Sequence, residues 1–289
     1  MSDSRIEVRK TYKLYIGGMF PRSESGRTFV VSDERGAFLA NVALASRKDV
    51  RDAVAAARRA QSRWAGATAY NRGQVLYRIA EMLEDRRAQF VELVVLSEAV
   101  SARIARACVD TAVDRLVWYA GWADKFAQVA GSSNPVAGPY FNFSIPEATG
   151  VVAVLAPQAS SLLGLVSVVA PAVVTGNAVV VVASELRPLP AVTLAEVLAT
   201  SDLPGGVVNL LTGRVGELSP VLAAHRDVDA MDLCGAPAAL ATDLERAAAT
   251  NVKRVLRPPL AEPDWMELPT PSRMLAFVET KTVWHPIGI

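Results

Sequence analysis

The chain has 289 residues, 51% of them hydrophobic and 20% charged, which is enough for one large or two small packed domains and excludes a disordered chain. A net charge of +1 gives no electrostatic case for a nucleic-acid or membrane-surface partner. Two cysteines, Cys108 and Cys234, exclude a disulfide scaffold and fit a reducing, cytoplasmic compartment, and two histidines are too few for a histidine-based metal site without much acidic help. The opening, Met1 to Tyr12, is polar, so no secretory signal is expected.

Lys13 to Phe20 and Thr28 to Val31 read as short β segments around a Ser/Gly turn. Ser46-Arg47-Lys48-Asp49 resembles a helix-start signature, and Val50, Val54, Ala57 and Trp64 follow it at helical spacing. Further helices are predicted around Leu76, Ile79 and Leu83, around Phe90, Leu93, Val94 and Leu96, and around Val113, Leu116, Val117 and Ala120. Gly131 to Pro135 breaks this pattern, and Tyr140 to Ile145 alternates like a half-exposed strand.

From Val151 the character changes. Val151 to Ala156, Ala178 to Ala183, Val207 to Leu211, Ala230 to Cys234 and Val252 to Leu256 read as strands. Ser161 to Val174, Leu189 to Thr200, Glu217 to Ala224 and Ala238 to Ala249 read as the helices between them. This alternation predicts an α/β fold with a parallel sheet. No charged residue occurs between Glu147 and Glu185, long enough for a membrane span of roughly 20 residues. Pro157, Gln158, Pro171 and Thr175-Gly176-Asn177 interrupt that stretch, so a buried strand–helix–strand unit explains it better than a membrane. Pro258, Pro259, Pro263, Pro269 and Pro271 mark an extended linker crossing the surface, after which Met274 to Trp284 regains strand character.

An ordered run of landmarks resembles the aldehyde dehydrogenase superfamily. It includes Tyr15-Ile16-Gly17-Gly18, the helix ending near Trp64, Trp118-Tyr119-Ala120-Gly121 and Gly150 to Pro157. It continues through Pro171 with Thr175-Gly176-Asn177, Ser184-Glu185, Pro204 to Asn209, Thr212-Gly213, His225 to Asp229, Gly235 and Asn251 to Arg254. The resemblance implies a Rossmann-like parallel-sheet NAD-binding domain with a helical N-terminal part and a small β oligomerisation element, the catalytic domain being largely absent. On that basis residues 1–137 are the helical part, 138–150 an oligomerisation hairpin, 151–257 the Rossmann-like part, 258–273 the linker and 274–289 an oligomerisation strand. No G-x-G-x-x-G is present, and the family does not rely on one.

The family oxidises aldehydes through a cysteine thiolate, passing a hydride to NAD. Several positions that serve this chemistry differ here. The family's Trp-Asn after the first strand is Gln158-Ala159, which removes an oxyanion donor of the kind whose loss costs ~10²–10³ in rate. Its ribose-binding lysine is Val182, although Glu185 remains, and its phosphate-binding serine is Ala236, beside the retained Gly235. Pro258 stands where the general-base glutamate is expected, and no cysteine follows Cys234 to act as nucleophile. Catalytic residues are therefore expected to be none. The resemblance leaves Pro157, Glu185, Gly213 and Gly235 as the residues for NAD or NADP, whose binding is expected to be weakened.

Met274 to Trp284 resembles the family's extreme C-terminus, a strand of the oligomerisation sheet. The resulting expectation is a catalytically inactive subunit that assembles with a full-length aldehyde dehydrogenase or with itself. Two alternatives are an NAD(H)-binding sensor module and an active oxidoreductase whose chemistry has moved to Cys234 or comes from a partner.

Overall fold

Two short strands, β1 (Thr28–Ser32) and β2 (Phe38–Ala43), open the computed structural model, which describes residues 10–288. Residues 1–9 of the polar opening, and residue 289, lie outside the described residues. β1 and β2 pair antiparallel. Lys13 to Phe20, expected as a β segment, forms only isolated bridges, Tyr15 to Leu210 and Ile16 to Met19. Gly17 and Gly18 turn the chain there at φ of 62° and 84°, a region that disfavours a continuous strand.

Helix α1 (Arg47–Ala65) begins where Ser46 and Asp49 cap it reciprocally. The Ser46 hydroxyl accepts from the Lys48 and Asp49 amides, and the Asp49 carboxylate accepts from the Ser46 amide at 2.7 Å. Three more long helices follow: α2 (Ala69–Asp85), α3 (Arg87–Glu98) and α4 (Ala102–Trp122). A short α5 (Phe126–Ala130) then leads to β3 (Ser132–Asn134) and β4 (Tyr140–Ala148). The segment expected as a hairpin, 138–150, is thus the single strand β4, with β3 as its near neighbour.

The α/β part runs β5 (Val151–Leu155), α6 (Leu163–Val174), β6 (Ala178–Val182), α7 (Leu189–Ala199), β7 (Val208–Leu211) and α8 (Val215–Ala224). It continues β8 (Ala230–Asp232), α9 (Ala238–Ala249) and β9 (Arg254–Leu256). The strands form one parallel sheet in the order β7-β6-β5-β8-β9. Successive residues of β5 and β6 serve opposite faces. Val152, Val154, Val179 and Val181 pack with Leu76, Leu116, Val166 and Leu194. Val151, Ala153, Leu155, Val180 and Val182 pack with Val50, Val54, Leu218 and Leu244. Helices on both faces explain why these strands carry no polar alternation. The uncharged stretch is the β5–α6–β6 unit, and among the described residues no helix is long and apolar enough to cross a membrane.

After β9 the chain passes through the proline-rich segment to a single helical turn, α10 (Ser272–Leu275), and to β10 (Val278–Pro286). Met274 and Leu275, expected in the strand, belong to the turn. Its geometry puts Met274 and Phe277, three residues apart, into the core together. β10 pairs antiparallel with β4 over its whole length, from Val278 opposite Ala148 to Pro286 opposite Tyr140. The order of this second sheet is β10-β4-β3, which leaves β10 at an edge with most of its side chains exposed.

Candidate functional site

In an open parallel sheet, ligands bind beyond the C-terminal strand ends, where the strand order reverses. Here that point lies between β5, from which the chain moves outward to β6 and β7, and β8 on its other side. The four residues expected to serve a cofactor all sit at this end: Pro157 after β5, Glu185 after β6, Gly213 after β7 and Gly235 after β8. The crevice is narrow. The Gly235 amide donates to the Leu155 carbonyl at 2.9 Å, and a Cβ on Gly235 would stand 1.8 Å from the Ala156 oxygen. Only glycine fits there.

The polar groups at these strand ends are engaged with one another. The Glu185 carboxylate accepts from the Val215 amide at 2.9 Å and from Arg214 Nη1 at 3.0 Å, which ties it to the start of α8. Gln158 Oε1 accepts from the Glu185 amide at 2.9 Å, and Gln158 Nε2 donates to the Ala156 carbonyl at 2.8 Å. The Ala236 amide donates to the Leu233 carbonyl at 2.9 Å, and Pro237, next in line before α9, has no N–H. Pro237 is the N-cap of α9, with no side-chain cap hydrogen bond, so no serine hydroxyl stands at this helix start to meet a phosphate.

The loop from β5 to α6 is engaged more completely. Glu262, from the proline-rich segment, accepts from the Ala159 amide at 2.9 Å, the Ser160 amide at 2.8 Å and Trp265 Nε1 at 3.1 Å. Glu98, the last residue of α3, accepts from both the Ser161 amide at 2.6 Å and the Ser161 hydroxyl at 2.7 Å. Arg187 Nη1 donates to the Ala159 carbonyl at 2.6 Å. Three consecutive amides before a helix form an anion-binding surface, and here two of the chain's own carboxylates occupy it. Beside them a groove of about 340 Å³ runs past Cys108, Glu98, Arg187 and Glu262.

Neither thiol is set up as a nucleophile. Burial, with the neighbouring Asp232 charge adding to it, pushes the Cys234 thiol up to about 12. Burial, then Glu98 and Asp264, also push the Cys108 thiol up. Asp232 is fully buried on β8, and burial raises it above the usual carboxylate range. Arg273 lies against it and also reaches Cys234 Sγ at 3.6 Å. The guanidinium stacks over Trp265 at 5.3 Å from the ring centroid.

Sequence reasoning did not find Glu98, Glu262, Arg187 or Arg273. The one available signal is at Glu262: an acid among prolines and three residues before a tryptophan, in a segment that otherwise reads as solvated.

A model of the aldehyde dehydrogenase family matches residues 20–257. One relative, a cytosolic aldehyde dehydrogenase 1 from Elephantulus edwardii, is 32% identical over 260 residues, which are 87% of this chain and 50% of that protein. Among solved structures, HpcC from Thermus thermophilus is similar at a TM-score of 0.80 and 31% identity, covering 85% of this chain and 47% of that one. An aldehyde dehydrogenase from Bacillus cereus, solved as its NAD+ complex, is similar at 0.79 and 26% identity, covering 85% and 50%. The chain spans about half the length of these relatives.

Proposed function

This chain belongs to the aldehyde dehydrogenase family, and we propose that it serves there as a non-catalytic cytoplasmic subunit, assembling with a full-length aldehyde dehydrogenase or with itself. The observation that carries the reading is the occupation of the β5–α6 amides by Glu262 and Glu98. A cofactor phosphate reaching the β5–α6 amides would have to displace two carboxylates of its own charge sign, and position 182 holds valine where the family has its ribose-binding lysine. These features weaken the fit to NAD or NADP rather than supply it. Glu185, the ribose-binding candidate, is already held by Arg214 and the Val215 amide.

The loss of chemistry points the same way. Ala159 offers no side-chain donor, Pro258 no proton acceptor, and the Cys234 thiol is driven far above neutrality. What remains is a folded scaffold with a nine-residue edge strand, β10, whose outer backbone groups can pair with another chain.

Titration calorimetry with NAD+ and NADP+, run beside an absorbance assay for NADH with a panel of aldehydes, tests the reading. No heat at millimolar cofactor and no NADH are expected. Micromolar binding, or NADH formation lost in Cys234→Ala, would overturn it.

A further inference from the structure

At the start of β7, the end of the sheet away from the strand-end crevice, three pieces of chain meet: the turn at Gly17, residues Pro204 and Gly205, and helix α1. Between them lies a hollow of about 460 Å³, lined on the α1 side by Ala56, Arg59, Ala60 and Arg63. The backbones approach closely, since a Cβ on Gly205 would stand 2.7 Å from the Gly17 oxygen. The glycines thus serve packing, and the chemistry of the hollow comes from α1.

Arg59 and Arg63 are four residues apart, so they share one face of α1 with their Cβ atoms about 5–6 Å apart. Both are exposed and line the hollow, and neither has an ion pair or hydrogen bond among the described residues. Lys48 and Arg58 of the same helix, by contrast, hold Asp52 and Asp229. Like charges at this spacing repel each other, and among the described residues no carboxylate lines the hollow to offset them. The Gly205 amide, on the facing wall, also has no acceptor among the described residues. Two unmatched positive charges therefore share one hollow, and the small side chains of Ala56 and Ala60 leave the space beside them open.

We propose that this hollow binds a small phosphomonoester, its phosphate oxygens accepting from Arg59 and Arg63. A phosphomonoester is close to a dianion above pH 7, its second pKa lying at about 6, so one group balances both charges. Its three terminal oxygens serve two guanidinium forks at once, which a carboxylate, with two oxygens and one charge, does less well. No aromatic side chain among the described residues lines the hollow, so a nucleobase has no surface on which to stack, and the organic part of the ligand is short and aliphatic. The proposal is independent of the subunit reading, since it uses neither the strand-end groups nor β10.

Calorimetric titration of the intact chain with glycerol 3-phosphate at pH 8 and low ionic strength tests it, with acetate as the monoanion control. Saturable glycerol 3-phosphate binding at millimolar concentration or below is expected, with acetate at least roughly tenfold weaker. Arg59→Gln and Arg63→Gln should each weaken phosphomonoester binding roughly tenfold, the loss of a charge-assisted hydrogen bond. Arg47→Gln removes another exposed charge from α1, in its first turn and outside the hollow, and should leave binding unchanged. All three positions are exposed, so the variants should fold, and circular dichroism verifies it. No saturable binding, acetate binding as tightly, folded Arg59→Gln and Arg63→Gln variants that bind as well as the wild type, or an equal loss in Arg47→Gln would each overturn the proposal.

Discussion

Glu262→Ala perturbs the contact on which the functional reading depends. The carboxylate accepts three hydrogen bonds, from the Ala159 and Ser160 amides and the Trp265 indole. Hydrogen bonds to a charged partner contribute roughly 1.5–3 kcal/mol each when buried. Glu262 and Ala159 are exposed, so water replaces much of what is removed, and the net loss is about 1–2 kcal/mol in all. For a chain of this size that lowers the melting temperature by roughly 2–6 °C. The variant also frees two adjacent amides at the entrance to α6, a position suited to an anion. Thermal unfolding with and without sodium sulfate reads both effects. Sulfate should stabilise Glu262→Ala more than the wild type, because a ligand that binds only the folded state raises its stability. An unchanged melting temperature with an identical sulfate response would refute the claim that Glu262 fills an anion site.

Other consequences are as direct. The Cys234 thiol, at about 12 against an ordinary 9, should be about a thousandfold poorer in thiolate than a free cysteine near pH 8. Iodoacetamide should therefore label it only after unfolding, and rapid labelling of the native chain would contradict the burial argument. The same shift has a sign for stability: the unfolded chain loses this proton first, so the contribution holds below pH 9 and declines toward about pH 12, as urea unfolding across that range can follow. Asn177 is fully buried and accepts from the Gly150 amide at 2.8 Å while donating to the Ala172 carbonyl, Thr175 Oγ1 and the Phe277 carbonyl. Asn177→Ala leaves several of these groups unpaired and should cost about 3–5 kcal/mol in urea unfolding. A cost under about 1 kcal/mol would mean that water replaces the amide.

The parts legible in the sequence are those set by local or periodic rules. The valine runs at Val151 and Ala178 announce interior strands because a parallel sheet buries both faces of them. Ser46 and Asp49 announce the start of α1 because both halves of the cap lie within four residues. Strand β2 is hidden because Ala40, Asn41 and Ala43 have little preference for strands, and its pairing with β1 decides the matter. The start of the final strand is misplaced by the sequence pattern because Met274 and Phe277 also satisfy a helical spacing, which burial selects.

The candidate site is legible only as positions. Pro157, Glu185, Gly213 and Gly235 can be located at strand ends, but the use of their surroundings cannot. The carboxylates that engage the β5–α6 loop come from Glu98 and Glu262, about sixty and one hundred residues away in the chain. Arg59 and Arg63 are equally silent in sequence: two basic residues on an amphipathic helix read as a solvated face until Pro204 and Gly205 are laid beside them.

The most direct test of the subunit assignment is native mass spectrometry of the chain purified alone and after co-expression with a full-length aldehyde dehydrogenase from the same source. A discrete complex of fixed stoichiometry, with the enzyme or with further copies of this chain, is the predicted result. A strict monomer in both preparations would contradict it.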